Sequence, residues 1–179
     1  WLEAHKTAHE IGLRSNVTMM FGSVEEPIHW ARHLIRTREL QRETGGFTEF
    51  VGLPFVHMAS PIYLRKGARR GPTFRENLLV HAIARIVYHG YIDNIQASWV
   101  KIGLDGMKQM LQAGVNDVGG TLNGENISRA AGAKHGQMLG KSQFEELCQP
   151  LGRELIQRTT LSKTHRGPEG QRKHIPVAA

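Results

Sequence analysis

Gly45-Gly46-Phe47-Thr48-Glu49-Phe50-Val51-Gly52-Leu53-Pro54-Phe55-Val56-His57-Met58-Ala59-Ser60-Pro61 is the stretch on which the reading of this chain turns. Paired glycines close a preceding helix, because glycine readily takes the left-handed conformation used at a helix C-terminus. Phe47 to Leu53 is rich in aromatic and branched residues and reads as a strand. Pro54 has no N–H to donate and ends the ladder. Phe55, His57 and Met58 then lie in a loop at the strand's C-terminal end, the edge at which α/β proteins bind ligands. Glu49 interrupts an otherwise apolar run. Carboxylates rarely go inside unless paired, so Glu49 is a candidate catalytic group, with an arginine salt bridge as the plain alternative. His57 is the second candidate, apt for proton transfer, although a lone histidine is more often structural.

Outward from that strand the same alternation repeats. Residues 1 to 12 read as a helix end, and Arg14 to Phe21 as a strand in which Val17, Met19 and Phe21 alternate with other residues. Gly22-Ser23-Val24-Glu25 is a loop, and Pro27 opens a helix by pre-setting φ. That helix carries Ala31, Leu34, Ile35 and Arg38 on one stripe and stops at Thr44-Gly45. After an irregular basic loop from Arg65 to Pro72, Thr73 and Glu76 form a capping box. The helix behind them is predicted to bury Leu79, Ala82, Ile83, Ile86 and Val87. Ile92 to Val100 reads as the next strand, followed by a short helix with Leu104, Met107, Met110 and Leu111. Val115 to Val118 is a very short strand leading into Gly119-Gly120-Thr121 and a short helix around Ile127. Ser142 and Glu145 predict a second capping box, for a helix with Phe144, Leu147, Cys148 and Leu151. Arg153 to Thr160 is extended, and from Ser162 onward a polar, basic segment reads as disordered. Strands joined by helices run parallel, which gives an α/β architecture. Periodicity leaves two forms open, half of a (β/α)₈ barrel or a small open doubly wound sheet.

Composition narrows the function classes. The chain has 179 residues, enough for one substantial core, and no apolar run of membrane-spanning length. The first residue is Trp1, with neither an initiator Met nor a signal peptide, so the chain reads as part of something longer. A single cysteine, Cys148, excludes an internal disulfide and a metal cluster held by this chain's thiolates alone. The +7 net charge is scattered over predicted helix faces and accompanies no nucleic-acid motif, so neither nucleic acid nor a membrane is an expected partner. A glycine loop entering a helix, as at Gly22–Glu25, suits polar ligands, although an ordinary turn with dipole-stabilising acids reads equally well. Near the ends of the two later strands stand Gln96, Ser98 and Lys101, then Asp117, Thr121 and Glu125. The glycines between the last three would let backbone approach a ligand. No P-loop, HExxH or GxSxG is present.

Several long motifs, in order, carry a resemblance: Thr18-Met19-Met20-Phe21-Gly22, Gly45-Gly46-Phe47-Thr48-Glu49-Phe50-Val51, Leu53-Pro54-Phe55-Val56-His57, Asp93-Asn94-Ile95-Gln96, Ser98-Trp99-Val100-Lys101, Asn116-Asp117-Val118-Gly119-Gly120-Thr121-Leu122, Ile127-Ser128-Arg129-Ala130-Ala131-Gly132 and Gln157-Arg158-Thr159-Thr160. From Trp1 to about Leu161 the chain resembles the FO synthase family of radical S-adenosylmethionine (SAM) enzymes, in its second, hydroxybenzyl-transferring part. Departures from the family's pattern fall at Ser23, Glu26 and Asn123-Gly124. Enzymes of futalosine metabolism in menaquinone biosynthesis share the first motif and are the alternative within the fold. A cluster-free ligand-binding module is the alternative outside it.

The resemblance implies that residues 1–161 are the C-terminal half, about four βα units, of a (β/α)₈ radical SAM barrel of TIM type, with residues 162–179 as a basic tail. It implies SAM and a [4Fe–4S] cluster as cofactors, with the cluster's Cys-x₃-Cys-x₂-Cys ligands in a missing N-terminal half. It implies L-tyrosine and 5-amino-6-(D-ribitylamino)uracil as substrates, on the route to the deazaflavin precursor of coenzyme F420, in the cytoplasm. The missing barrel half, and the other FO synthase half where the two are fused, are the implied protein partners. Met20, Gly22 and Glu25 match the place where the family holds the adenosine part of SAM. Gln96, Ser98, Lys101, Asp117, Thr121 and Glu125 become substrate-binding candidates, beside Glu49 and His57 as catalytic ones, and no metal ligand is expected.

Overall fold

Parallel strands with helical crossovers are what the computed structural model shows, described for residues 1–122, 124, 126–133, 135 and 138–161. α1 (Leu2–Glu10) precedes β1 (Ser15–Phe21), α2 (Pro27–Thr44), β2 (Phe47–Pro54), the single turn α3 (Pro61–Leu64), α4 (Phe74–Val87) and β3 (Ile95–Ala97). α5 (Trp99–Gln112), the single turn α6 (Ile127–Ala130), α7 (Lys141–Cys148) and a 3₁₀ turn at Gln149–Leu151 follow. The sheet has the order β1-β2-β3, all parallel, with Val17 opposite Phe50 and Phe50 opposite Ile95.

The two sheet faces differ in chemistry. Val17, Met19, Phe21, Phe50, Ile95 and Ala97 are buried together with Trp30 and Leu34 of α2 and Val80 and Ala84 of α4. Gly52 belongs to this face, since a Cβ there would lie 2.6 Å from the His81 imidazole of α4. On the opposite face Asn16, Thr18 and Met20 are exposed, next to Glu49, Val51, Leu53 and Gln96. Covered on one side and polar on the other, the sheet is a two-layer element.

The helix ends follow the local chemistry. Gly45 takes the left-handed conformation, φ 61°, and its N–H donates to Gln41. Gln41 is itself buried, where its amide donates to the carbonyls of Phe47 and Tyr91 and accepts from the Phe47 N–H, tying the end of α2 to the start of β2. The Thr73–Glu76 capping box forms as predicted.

Several expectations are corrected. The stripe buried on α2 is Trp30, Leu34, Thr37, Leu40 and Gln41, and Ile35 faces out. On α4 the buried positions are Asn77, Val80, His81 and Ala84, while Leu79, Ile83 and Ile86 are exposed. Asn77 and His81 are polar residues at core positions, so hydrophobicity pointed to the wrong face. The strand expected from Ile92 to Val100 shrinks to Ile95–Ala97. At its start the N–H groups of Tyr91 and Ile92 turn back to the Tyr88 carbonyl, and at its end Ser98 caps α5. Lys101 therefore sits in a helix's first turn. The strand expected at Val115–Val118 is a single parallel bridge, Gln96 to Asp117. The Ile95 N–H is taken by the Asn116 side chain, in addition to the backbone bonds that Asn116 and Asp117 donate to the Ile95 carbonyl. α7 is capped at Gly140, where the Gln143 side chain accepts from the Gly140 N–H, and Glu145 pairs with Lys141. The Ser142–Glu145 box does not form, because both residues already lie inside the helix. The predicted tail from Ser162 lies outside the described residues.

Candidate functional site

Glu49 stands third in β2, on the polar face, and its side chain is 6% exposed. The arginine alternative is realised: Arg158 Nη2 donates to Glu49 Oε2 at 2.6 Å. Asn16 of β1 donates to Oε1 at 2.7 Å, and the Gln96 amide of β3 donates to Oε2 at 3.3 Å. Arg158 Nε is also paired with Asp117, whose Oδ1 accepts the Gly119 N–H at 2.9 Å. Neighbouring strands and the segment after the 3₁₀ turn thus converge on one carboxylate. Burial pushes the Glu49 carboxyl above its ordinary range. Arg158 opposes that rise, the Asp117 charge adds to it, and the Gln96 hydrogen bond works against it. Arg158 is held protonated by Asp117 and Glu49 against the cost of its own burial.

A cleft of about 320 Å³ opens at the C-terminal edge of the sheet. Leu53, Gln96, Ser98, Lys101, Val118, Gly119, Leu122, Ile127 and Ser128 line it, with Trp99 and Val100. Three predicted substrate residues, Gln96, Ser98 and Lys101, are therefore brought to one space, and Asp117 stands behind Gly119. Thr121 is exposed beside the cleft, and Glu125 lies outside the described residues. Trp99 is core: it is 1% exposed, packs edge-on against Phe144 and donates to the Gly120 carbonyl at 2.9 Å. Its hydrogen bond fixes the glycine loop that forms one wall.

The Gly22–Glu25 loop is already satisfied from within. Glu25 accepts from the N–H of Gly22, from Ser23 at 3.2 Å and Val24 at 3.0 Å, and from the Trp30 indole at 2.9 Å. Burial raises the Glu25 carboxyl, but these hydrogen bonds outweigh it and hold the group below its ordinary range. Pro72 packs on Gly22 where a Cβ would stand, and the Arg69 N–H donates to the Ser23 carbonyl, so the basic loop lies over this turn. Gly22 and Glu25 are thus a rigid platform whose donors are in use. Met20, the third of the predicted trio, is 61% exposed on the polar face. The residues fit a SAM site as a wall and a turn, and they do not leave the loop's amides for a ligand anion.

His57 is not part of the Glu49 network. It is half-buried after β2, edge-on to Tyr63 with ring centroids 4.8 Å apart. The loop that carries it does reach α6: the Ala59 N–H donates to the Ala131 carbonyl, and Met58 packs on Gly132. Among the described residues no group of histidine, cysteine or acidic side chains could hold a metal ion. Cys148 is buried on α7, where burial pushes its thiol up. The described residues of this chain do not fit a cluster. Sequence reasoning missed Arg158 as a site residue. Its only signal was a motif position with no periodicity, in a segment read as merely extended.

Comparison with known proteins places this geometry. A family model described as the CofH/MqnC C-terminal region matches residues 44–146. An FO synthase of Nocardia farcinica is 54% identical over 161 residues, which are 90% of this chain and 19% of that protein. An FO synthase of Mycobacterium tuberculosis is 52% identical over 160 residues, 89% of this chain and 19% of that protein. A 5-amino-6-(D-ribitylamino)uracil–L-tyrosine 4-hydroxyphenyl transferase of Methanopyrus kandleri is 48% identical over 161 residues, 90% of this chain and 44% of that protein. The chain thus spans about a fifth of the FO synthases and under half of the transferase. More than half of it falls within one family model, and it belongs to the CofH/MqnC C-terminal region family.

Proposed function

We propose that the complete protein is a transferase that joins the hydroxybenzyl group of L-tyrosine to 5-amino-6-(D-ribitylamino)uracil, the FO-forming step toward deazaflavin. This chain then supplies the C-terminal half of its barrel. The observation that carries the reading is the 48% identity, over nine-tenths of the chain, to a protein of that name. The sheet supports it: parallel strands in chain order, helices on one face and converging polar groups on the other are what a sector of a (β/α)₈ barrel would have. The glycine-walled cleft sits at the C-terminal edge, where such barrels bind substrate.

SAM and a [4Fe–4S] cluster supply the radical when bound, and the cluster's ligands belong to another part of the protein. This chain's residues bind and orient. Gln96, Ser98 and Lys101 line the cleft and would meet the polar groups of an amino acid or a polyhydroxylated uracil, with Asp117, Thr121 and Glu125 following in sequence. Glu49 does not line the cleft but is hydrogen-bonded to Gln96, which does, and would set the polarity of that surface through it. Met20 would stand against SAM on the turn that Gly22 and Glu25 make rigid. His57, outside the Glu49 network, would act at the rim of the same edge.

The test is Glu49→Gln in the complete protein, assayed anaerobically for hydroxybenzyl transfer. Losing a preorganised charged group typically costs on the order of a hundredfold in rate, so transfer should fall by about that much with the fold intact. Normal transfer with a lowered melting temperature would make Glu49 a stability residue only.

A further inference from the structure

We propose that Arg158 is a positioning residue of the cleft: by clamping Glu49 and Asp117 it holds the Gln96 amide so that Gln96 Oε1 faces the cleft and accepts an N–H or O–H group of the ligand. The proposal rests on the function proposed above, and it names a recognition feature that the reading does not contain. Arg158 follows the 3₁₀ turn, outside the residues 44–146 matched by the family model, and lies 109 positions from Glu49. Its guanidinium is a planar fork whose separate nitrogens serve two carboxylates in fixed directions, a geometry that the single rotating ammonium of a lysine does not reproduce. Here it does so, pairing Nη2 with Glu49 at 2.6 Å and Nε with Asp117.

The consequence falls on Gln96. A carboxylate oxygen only accepts, so the end of the Gln96 amide that meets Glu49 Oε2 must be its NH₂ group. The carbonyl end is thereby turned away from Glu49 and toward Gly119. A Cβ at Gly119 would stand 3.2 Å from Gln96 Oε1. Both residues line the cleft. Gly119 has φ 81° and donates its N–H to Asp117, the second carboxylate of the clamp. The clamp therefore fixes both the amide that presents the acceptor and the backbone beside it. An amide left to itself can turn either end to a ligand; this one is committed by Glu49, and Glu49 is held by Arg158.

The experiment uses the complete protein, with Arg158→Gln, Gln96→Ala and the double variant, and measures kcat and KM for tyrosine and for the ribitylaminouracil separately. Arg158→Gln should raise KM for one of the two substrates by tenfold or more and leave the other within about twofold. Because the two residues act through one contact, the double variant should be no worse than Gln96→Ala alone, the signature of a shared pathway. Multiplied effects, or a uniform loss of kcat for both substrates together with a lower melting temperature, would overturn the proposal and leave Arg158 a structural tie. If Arg158→Gln does not fold, Arg158→Lys carries the test, with a KM increase expected for the one substrate whose KM Gln96→Ala also raises, and wild-type constants overturning it. A wild-type protein that neither turns over nor binds these molecules by calorimetry would sink the functional reading, and this clamp's ligand with it.

Discussion

At position 52 a hydrogen atom is all that fits. Gly52 faces the His81 imidazole across the β2–α4 interface. That ring is hemmed in: Phe21 and Phe50 lie edge-on to it with ring centroids 6.2 and 6.3 Å away, and its Nδ1 is tied to the Asn77 carbonyl at 2.8 Å. Gly52→Ala should therefore destabilise the protein by about 1–3 kcal/mol, the usual cost of overpacking a filled core. Thermal melting checks this, and an unchanged midpoint would show that the ring can move. At this scale the sequence was partly legible. Glu49 could be read as a buried carboxylate because a charge in an apolar strand needs a partner. The partner itself could not be named, because no spacing rule links positions 49 and 158. The close approach at Gly52 was equally hidden, since a glycine in a strand looks the same whether a ring, a ligand or solvent lies opposite it.

Among the elements, α2, β2 and the start of α4 were legible because each carries its own boundary signal, a stop at Gly45 and at Pro54 and a start at Thr73-Phe74-Arg75-Glu76. The buried face of α4 was not. Val80, Ala84 and Tyr88 mark the core side, but Asn77 and His81 dilute it, and the more apolar Leu79, Ile83 and Ile86 face out. β3 was over-read because the turn at Tyr91–Ile92 and the start of α5 after Ser98 cut it at both ends, although β2 runs on to Pro54. α1 shows how polar groups can dock an element. His5 Nδ1 and His9 Nε2 lie 3.0 and 2.7 Å from the Ser15 hydroxyl, and His9 Nδ1 lies 2.7 Å from the Thr44 hydroxyl. Burial, then nearby positive charge, holds both imidazoles below their ordinary 6.5. The sign follows by linkage. In acid the unfolded chain takes up protons that the docked helix resists, so stability is complete above about pH 6.5 and is lost as the pH falls below it. Melting temperatures measured from about pH 8 to about pH 5 should fall mainly in the lower half of that range; the buried His33 and His81, lowered by burial too, share in the fall, and His9→Gln should remove the part due to α1. An equal slope in the variant would show that α1 docking does not titrate.

For the whole molecule, the repeat of strand and helix was enough to predict a parallel sheet, because βαβ crossovers require it; chain order came only with the resemblance, since periodicity alone left a doubly wound sheet open. Closure was not legible, since nothing in a strand's own residues says how many neighbours it acquires. The described sheet has β1 at one edge and, past β3, a single bridge in place of a fourth strand. One face is fully covered, and the other presents Thr18 and Met20 to solvent. A parallel sheet with one face partly open is unusual, because such sheets are normally buried on both sides. An open edge of unpaired N–H and C=O groups is in turn a template for another strand. The 179-residue chain expressed alone should therefore self-associate. Each apolar side chain covered on association contributes roughly 1.5–3 kcal/mol, enough for a few residues such as Met20 to drive it. Light scattering across a concentration series should show the mass rising, and Thr18→Lys with Met20→Lys, which place charge on the open face beside the β1 edge, should return the chain toward a monomer. Co-expression with the preceding segment of a relative such as the Methanopyrus transferase should do the same by covering that face instead of charging it. A stable wild-type monomer with a single cooperative melt would mean that this sheet needs no further layer, and the half-barrel reading would fall with it.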